Sequence, residues 1–451
     1  MIRKKLFGTD GIRGKANVSP MTPEMAMNVG QAIARHFQGK GSTHRIVIGK
    51  DTRRSSYMLE LATAAGVTSM GSDAVFLGPV PTPAVGYLTK AMRADAGIMI
   101  SASHNPYDDN GIKFFGKDGY KLSDEIELEI ERAVEHELSL VKRPVGDKIG
   151  RAFRVDDALG RYIEFIKTTF PSLLTLEGLK VVVDCANGAA YRLAPQTLWE
   201  LEAQVISLGV NPNGTNINEN CGSLFPERLS AEVLTTHADV GIALDGDADR
   251  VTLCDENGKL VDGDQIIALC ALSLKEQGLL RGNKVVGTIM SNMGVENYLK
   301  EEGIAFVRAA VGDRYVIERM RSENAAIGGE PSGHIIFGDC TSTGDGLIAA
   351  LQVMAQMVKT KKRLSELVSK IPLYPQVSEN IVVKEKKSLE KLPVMQAALA
   401  TVEKNLKGKG RAVVRYSGTE HKLRMMIEGE NFALIQAELK RLVSVAASVL
   451  G

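Results

Sequence analysis

The chain of 451 residues sets 55 Lys and Arg against 54 Asp and Glu, a net charge of +1, and is 44% hydrophobic and 24% charged. That length suggests three or four domains, and the composition is that of a folded protein and not a disordered one. So even a charge argues against nucleic acid or a polybasic membrane surface as partner, and 15 Pro with 44 Gly exclude a coiled coil.

No apolar run approaches the roughly 18 residues of a membrane helix, and the basic start at 1–8 has no apolar stretch behind it to make a secretory signal. The five cysteines, Cys185, Cys221, Cys254, Cys270 and Cys340, are odd in number and contain no C-x-x-C pair. They read as reduced thiols of a cytoplasmic protein, not as a disulfide framework or a zinc site.

In chain order, short β-branched runs alternate with Ala- and Leu-rich helical stretches, which predicts α/β domains with largely parallel sheets. Strands are expected at 45–49 and 96–101, with helices at 59–70 and 123–138. Residues 143–150 break the pattern and mark a first boundary. A second unit follows, with a helix at 156–170, a strand at 180–184, a helix at 190–200 and a strand at 239–245. A third has strands at 284–289 and 304–307 and helices at 295–302 and 345–359. Composition shifts near 371–375. Beyond it a strand at 379–383, a helix at 389–405, strands at 411–416 and 422–428 and a final helix read as a small α+β domain.

The strongest chemical motif is Asp245-Gly-Asp247-Ala-Asp249-Arg250, closing an apolar strand. In an extended segment residues two apart share a face, so the three carboxylates are expected to converge. Their mutual repulsion calls for a hard divalent ion, and all-oxygen ligation suits Mg²⁺. An EF-hand is the decoy, since Glu256 stands at the twelfth position, but Arg250 replaces the required Gly.

The second motif is Ser101-Ala-Ser103-His104-Asn105-Pro106 at the end of another strand, with Lys113 just beyond. A serine there lies where α/β folds bind ligands. It lacks the G-x-S-x-G elbow of serine hydrolases. For Lys113 to act as a base, its pKa must fall about two to three units from 10.4. A third motif, Arg415-Tyr416-Ser417-Gly418-Thr419-Glu420 with Arg424, offers a guanidinium, hydroxyls and backbone N–H groups as an anion cradle. Glu330-Pro331-Ser332-Gly333-His334 could bridge vicinal sugar hydroxyls, and the segment 7–14 puts Arg13 in a Gly-rich loop.

These five loops, in this order, resemble the α-D-phosphohexomutase superfamily from residue 7 to about 430. Within it, the segments 7–14 and 311–316 are similar to the bacterial branch that isomerises glucosamine phosphates. A sibling acting on glucose or mannose phosphates is the alternative. The resemblance implies three similar mixed α/β domains and a smaller α+β C-terminal domain around a central cleft. Their expected spans are 1–150 with the phosphoserine loop, 151–256 with the metal loop, 257–370 with the sugar loop and 371–451 with the phosphate loop.

It also implies that Ser103 carries the phosphoryl group, and that Asp245, Asp247, Asp249 and the phosphorylated Ser103 hold Mg²⁺. Arg13 and Lys113 would flank the phosphoserine, with Lys113 or His334 as general acid/base and His104 in the same catalytic set. Arg250, Glu330, Ser332, Arg415, Ser417, Gly418, Thr419 and Arg424 would bind substrate. A hexosamine 1,6-bisphosphate would serve as intermediate and activator, and a small sugar phosphate as the partner. Neither nucleic acid nor membrane is expected, a homodimer is allowed, and the product would feed UDP-N-acetylglucosamine and cell-wall precursors in the cytoplasm. A phosphatase of the haloacid dehalogenase type, with an Asp nucleophile, and a non-catalytic sugar-phosphate sensor are the rival readings.

Overall fold

A computed structural model describes residues 5–8, 10–38, 44–138, 141–416 and 421–450. Its first three sheets share one plan. In the first, the strands Ala96–Ile100, Arg45–Lys50, Asp73–Pro79 and Ala152–Arg154 run parallel, and Asp109–Gly116 and then Ile12–Lys15 are added antiparallel at one side. In the second, Gln204–Leu208, Lys180–Asp184 and Val240–Leu244 are parallel, followed by antiparallel Val251–Asp255 and Leu260–Val261. In the third, Ala305–Ala309, Lys284–Thr288 and Ile327–Gly329 are parallel and Ile335–Phe337 antiparallel. Each sheet is thus mixed and not purely parallel. The parallel strands are buried apolar runs, such as Val181, Val182 and Val183, as strands covered on both faces must be.

This plan sets out the site. In each of the three sheets, the parallel strand that borders the antiparallel side turns directly into the neighbouring antiparallel strand. That connection is the serine loop in the first sheet, the Asp245–Arg250 loop in the second and the Glu330–His334 loop in the third. The fourth sheet is wholly antiparallel, with Lys422–Gly429 between Gln376–Val382 and Gly410–Tyr416. The third motif begins with Arg415 and Tyr416 on the strand Gly410–Tyr416, and Arg424 lies on Lys422–Gly429.

Two strand assignments cross the breaks seen in sequence. The strand Ala152–Arg154 pairs with Asp73–Pro79 in the first sheet, and Leu260–Val261 pairs with Val251–Asp255 in the second. The helix expected at 123–138 is α-helical over Asp124–Arg132 and continues as a π turn over Ala133–Glu137.

One hydrophobic core runs through the first three sheets, from Val47 through Val183 and Leu244 to Val285, Leu351 and Ile371. The C-terminal sheet and its helices keep a separate core, from Val383 to Leu450. The long helix Gly346–Thr360 packs against the second and third sheets. Its N-terminal N–H groups at Leu347 and Ile348 each bond to the Asp345 carboxylate at 3.0 Å, and Tyr162 of the second domain donates to the same carboxylate. Among the described residues no helix is long and apolar enough to cross a membrane.

Candidate active site

The chain leaves the strand Ala96–Ile100 in a turn that puts Ser103 in the left-handed region, at φ +53°. This aims its buried Oγ at the second domain, where it donates to Asp245 Oδ2 at 2.7 Å. The neighbouring His104 brings Nδ1 to 3.3 Å from the same Oγ. Burial, aided by the charges of Arg250 and Arg13, pushes the pKa of His104 down to about 4, so this ring is neutral near pH 7.

The aspartate loop converges, but not by the route expected from an extended chain. It is a turn. Ala248 takes φ +56° and donates its N–H to the Asp245 carbonyl at 3.0 Å. The turn brings one oxygen each of Asp245, Asp247 and Asp249 within 4.8 Å of one another. Burial, with the charges of Asp249 and Asp247, pushes the Asp245 carboxyl up to about 8. Oδ1 of Asp247 and Oδ1 of Asp249 are buried without a hydrogen bond. Buried carboxylate oxygens without donors suit a hard divalent cation, so the residues fit Mg²⁺.

Cations from the first domain meet these carboxylates. Lys113, on the strand Asp109–Gly116, places Nζ 2.8 Å from Asp247 Oδ2, 3.1 Å from Asp10 Oδ2 and 3.5 Å from Asp249 Oδ2. Burial opposes its charge, yet the three carboxylates outweigh burial and raise its pKa above the ordinary lysine value. The lowered pKa that a neutral base requires is therefore not what this arrangement gives. Arg13 is paired with Asp10, which also takes Lys121. Burial alone would raise the Asp10 pKa, but Lys113, Lys121 and Arg13 hold it well below the usual carboxylate range.

His334 enters from the third domain, with Nδ1 3.7 Å from Asp249 Oδ1 and Nε2 3.6 Å from Asp313 Oδ2. Burial disfavours its charge, but Asp249 and Asp313 raise its pKa. The Gly344 N–H donates to Nε2 at 2.9 Å, which requires a bare nitrogen there and places the ring proton on Nδ1, toward Asp249.

Glu330 is buried and accepts the Gly312 N–H at 2.9 Å, while Ser332 is exposed at the rim. Arg250, 3.9 Å from Asp249, has its Nε buried without a hydrogen bond. Arg250, Leu224, Leu260 and Ser332 border a cavity of about 340 Å³ between the second and third domains. On the C-terminal sheet Arg415 lies directly opposite Arg424, and burial followed by that like charge lowers the Arg415 pKa. Ser417, Gly418 and Thr419 lie outside the described residues.

The structure thus joins Arg13, Ser103, His104, Lys113, Asp245, Asp247, Asp249, Arg250 and His334 in one cluster, with Glu330 and Ser332 beside it. Sequence reasoning missed Asp10, Thr82, whose hydroxyl donates to Asp247, and Asp313. Asp10 stands in the motif that had pointed to Arg13 alone; nothing local marks Thr82.

Four models of the phosphoglucomutase/phosphomannomutase family match the chain in order. They are alpha/beta/alpha domain I at residues 4–140, domain II at 160–258, domain III at 262–374 and the C-terminal domain at 379–444. Phosphoglucosamine mutases of Pelobacter propionicus and Paramagnetospirillum magneticum are each 53% identical to it. These alignments cover 99% of this chain and 99% and 100% of the relatives. Among solved structures, a phosphoglucomutase/phosphomannomutase family protein of Burkholderia thailandensis has a TM-score of 0.82 at 22% identity, covering 100% of this chain and 99% of that one. The N-acetylphosphoglucosamine mutase of Aspergillus fumigatus, in complex with GlcNAc-6P and magnesium, has a TM-score of 0.68 at 16% identity, covering 100% of this chain and 96% of that one. With four domains matched in order and relatives this similar over the full length, the chain belongs to the phosphoglucosamine mutase family of phosphohexomutases.

Proposed function

We propose that this enzyme interconverts glucosamine 6-phosphate and glucosamine 1-phosphate, with Ser103 as the phosphoryl carrier. The observation that carries the reading is the Ser103 hydroxyl, buried and bonded at 2.7 Å to the first of three converging aspartates. A sensor would not need that hydroxyl, and an aspartyl phosphatase would leave it without a role. The full-length relatives point to the glucosamine branch over its glucose and mannose siblings.

Phosphoryl transfer needs positioning and charge neutralisation more than covalent help from the protein. Asp245, Asp247 and Asp249 would hold Mg²⁺, which when bound neutralises charge on the transferring phosphoryl group. Arg13 and Arg250 bring positive charge from either side. Lys113, kept protonated by Asp10, Asp247 and Asp249, gives a proton to Ser103 Oγ as it leaves and takes back the one that the attacking sugar hydroxyl loses. His334 accepts the Gly344 N–H on Nε2 and turns Nδ1 toward Asp249. Glu330 and Ser332 grip sugar hydroxyls, and Arg415, Arg424, Ser417, Gly418 and Thr419 hold the phosphate that is not being transferred.

Phosphorylated Ser103 gives its group to the sugar phosphate, forming a hexosamine 1,6-bisphosphate. The sugar then turns over, and its other phosphate returns to Ser103. The same bisphosphate, added in trace, primes an unphosphorylated serine. Four of the five thiols are buried and all are free, which goes with a cytoplasmic setting. There the product would serve UDP-N-acetylglucosamine synthesis.

³¹P NMR with Mg²⁺, trace bisphosphate and glucosamine, glucose or mannose 6-phosphate tests the reading. The 1-phosphate signal is expected to grow fastest with glucosamine and to vanish in Ser103→Ala. Release of inorganic phosphate alone would overturn it in favour of a phosphatase.

A further inference from the structure

Ser103 sits in a backbone conformation that non-glycine residues seldom adopt, so something must hold it there. Its N–H and its C=O are both held by side chains. The N–H donates to Ser101 Oγ at 2.9 Å, and that hydroxyl in turn donates to Asp51 Oδ2 at 2.7 Å. The C=O accepts from two donors at once, Arg53 Nη2 and Asn218 Nδ2, each at 2.9 Å.

Both donors hold more than this one carbonyl. Arg53 is fully buried, and its guanidinium also reaches the carbonyls of Asn105 at 2.8 Å, Asp109 at 3.1 Å and Pro106. Its Nε is fixed by Asp51 Oδ2 at 2.8 Å, and the Asp51 carboxylate takes the Ser56 hydroxyl as well. A planar fork with five N–H donors is the one side chain that can satisfy four converging carbonyls and a carboxylate together. Asn218 comes from the second domain. It adds a bond to the Asn105 carbonyl at 3.0 Å, and its own N–H is anchored on the Ala186 carbonyl. The serine turn is therefore gripped from beneath by its own domain and from the side by the domain that supplies the aspartates.

We propose that Arg53 and Asn218 are positioning residues for phosphoryl transfer, a clamp from two domains that fixes the Ser103 turn and so decides whether its phosphoryl group passes to sugar or to water. The proposal rests on Ser103 being the carrier. Neither residue touches substrate. Each acts by holding the Ser103 carbonyl, so that Oγ stays on line with Asp245 and the turn stays closed to solvent.

The test loads the full-length enzyme with ³²P from glucose 1,6-bisphosphate, then measures transfer to glucosamine 6-phosphate and loss of label as inorganic phosphate. Asn218→Ala removes one of two donors to the carbonyl. It is expected to slow transfer about tenfold, to raise the fraction of label lost to water, and to leave KM for glucosamine 6-phosphate within about twofold. Arg53→Lys keeps the charge and loses the fork, so transfer should fall on the order of 10²-fold.

A merely structural role would lower the active fraction and leave the partition between sugar and water unchanged. That outcome in Asn218→Ala, whose melting temperature is followed alongside, overturns the proposal even if Arg53→Lys does not fold. Failure of the wild type to take label on Ser103, with Ser103→Ala as control, would overturn the carrier assignment instead.

Discussion

Two charged regions of the molecule are built on opposite plans. At the serine and aspartate loops, cations and anions alternate: Lys113 lies between Asp10 and Asp247 with both partners at 3.1 Å or less, and the Lys113–Asp247 pair is at most 1% exposed. On the C-terminal sheet, Arg415 on an outer strand faces Arg424 on the middle one, like charge opposite like. Balanced charge keeps a catalytic centre folded when buried, since an uncompensated ion in the interior would not be tolerated. Two like charges set opposite each other on a separate sheet would be stabilised by an anion between them. The proposed roles follow this division, with phosphoryl transfer at the neutralised region and the phosphate that is not being transferred at the other.

The comparison breaks most severely at Gly246. A Cβ there would lie 2.6 Å from the Ser103 carbonyl oxygen and 2.9 Å from Asn218 Nδ2, so Gly246→Ala must push the two loops apart. Turnover is expected to fall on the order of 10²-fold with little change in KM, and steady-state kinetics on glucosamine 6-phosphate would show it. In the C-terminal sheet the split should reverse. Arg415→Ala is expected to raise KM roughly tenfold to a hundredfold while kcat moves far less, and Arg415→Lys should recover part of the loss.

The smallest effect sharpens the electrostatics. With its pKa at about 8, Asp245 still carries a proton at pH 7 in the metal-free enzyme, and binding Mg²⁺ must displace it. Calorimetric titrations in buffers of different ionisation enthalpy should read close to one proton released at pH 7. The release should fade as pH rises past 8, where the proton is already gone.

Much of this was open to reading along the chain. The strand at 180–184 is observed as Lys180–Asp184, and the helix at 345–359 as Gly346–Thr360, because buried Val and Ala-Leu patterning leave little choice. The aspartates announced themselves by spacing, though the reason given for their convergence was wrong: a left-handed Ala248, and not an extended strand, brings them together. The raised pKa of Lys113 was not foreseeable, because two of its carboxylates stand more than 130 residues further along the chain, at Asp247 and Asp249. Arg53 and Asn218 were invisible for the same reason. Their meaning lies in carbonyl groups, which every residue has and no sequence distinguishes.

The hydrophobic interior carries a consequence for how the molecule comes apart. One core threads the first three sheets and a separate one serves the last, so the C-terminal sheet is the domain whose packing is most its own. A lesion in that shared core, at Val47, Val183 or Val285, reaches all three sheets, while the first domain keeps a further core of its own from Phe7 to Ala133. The C-terminal module can loosen on its own core while the shared core of the first three sheets stays packed.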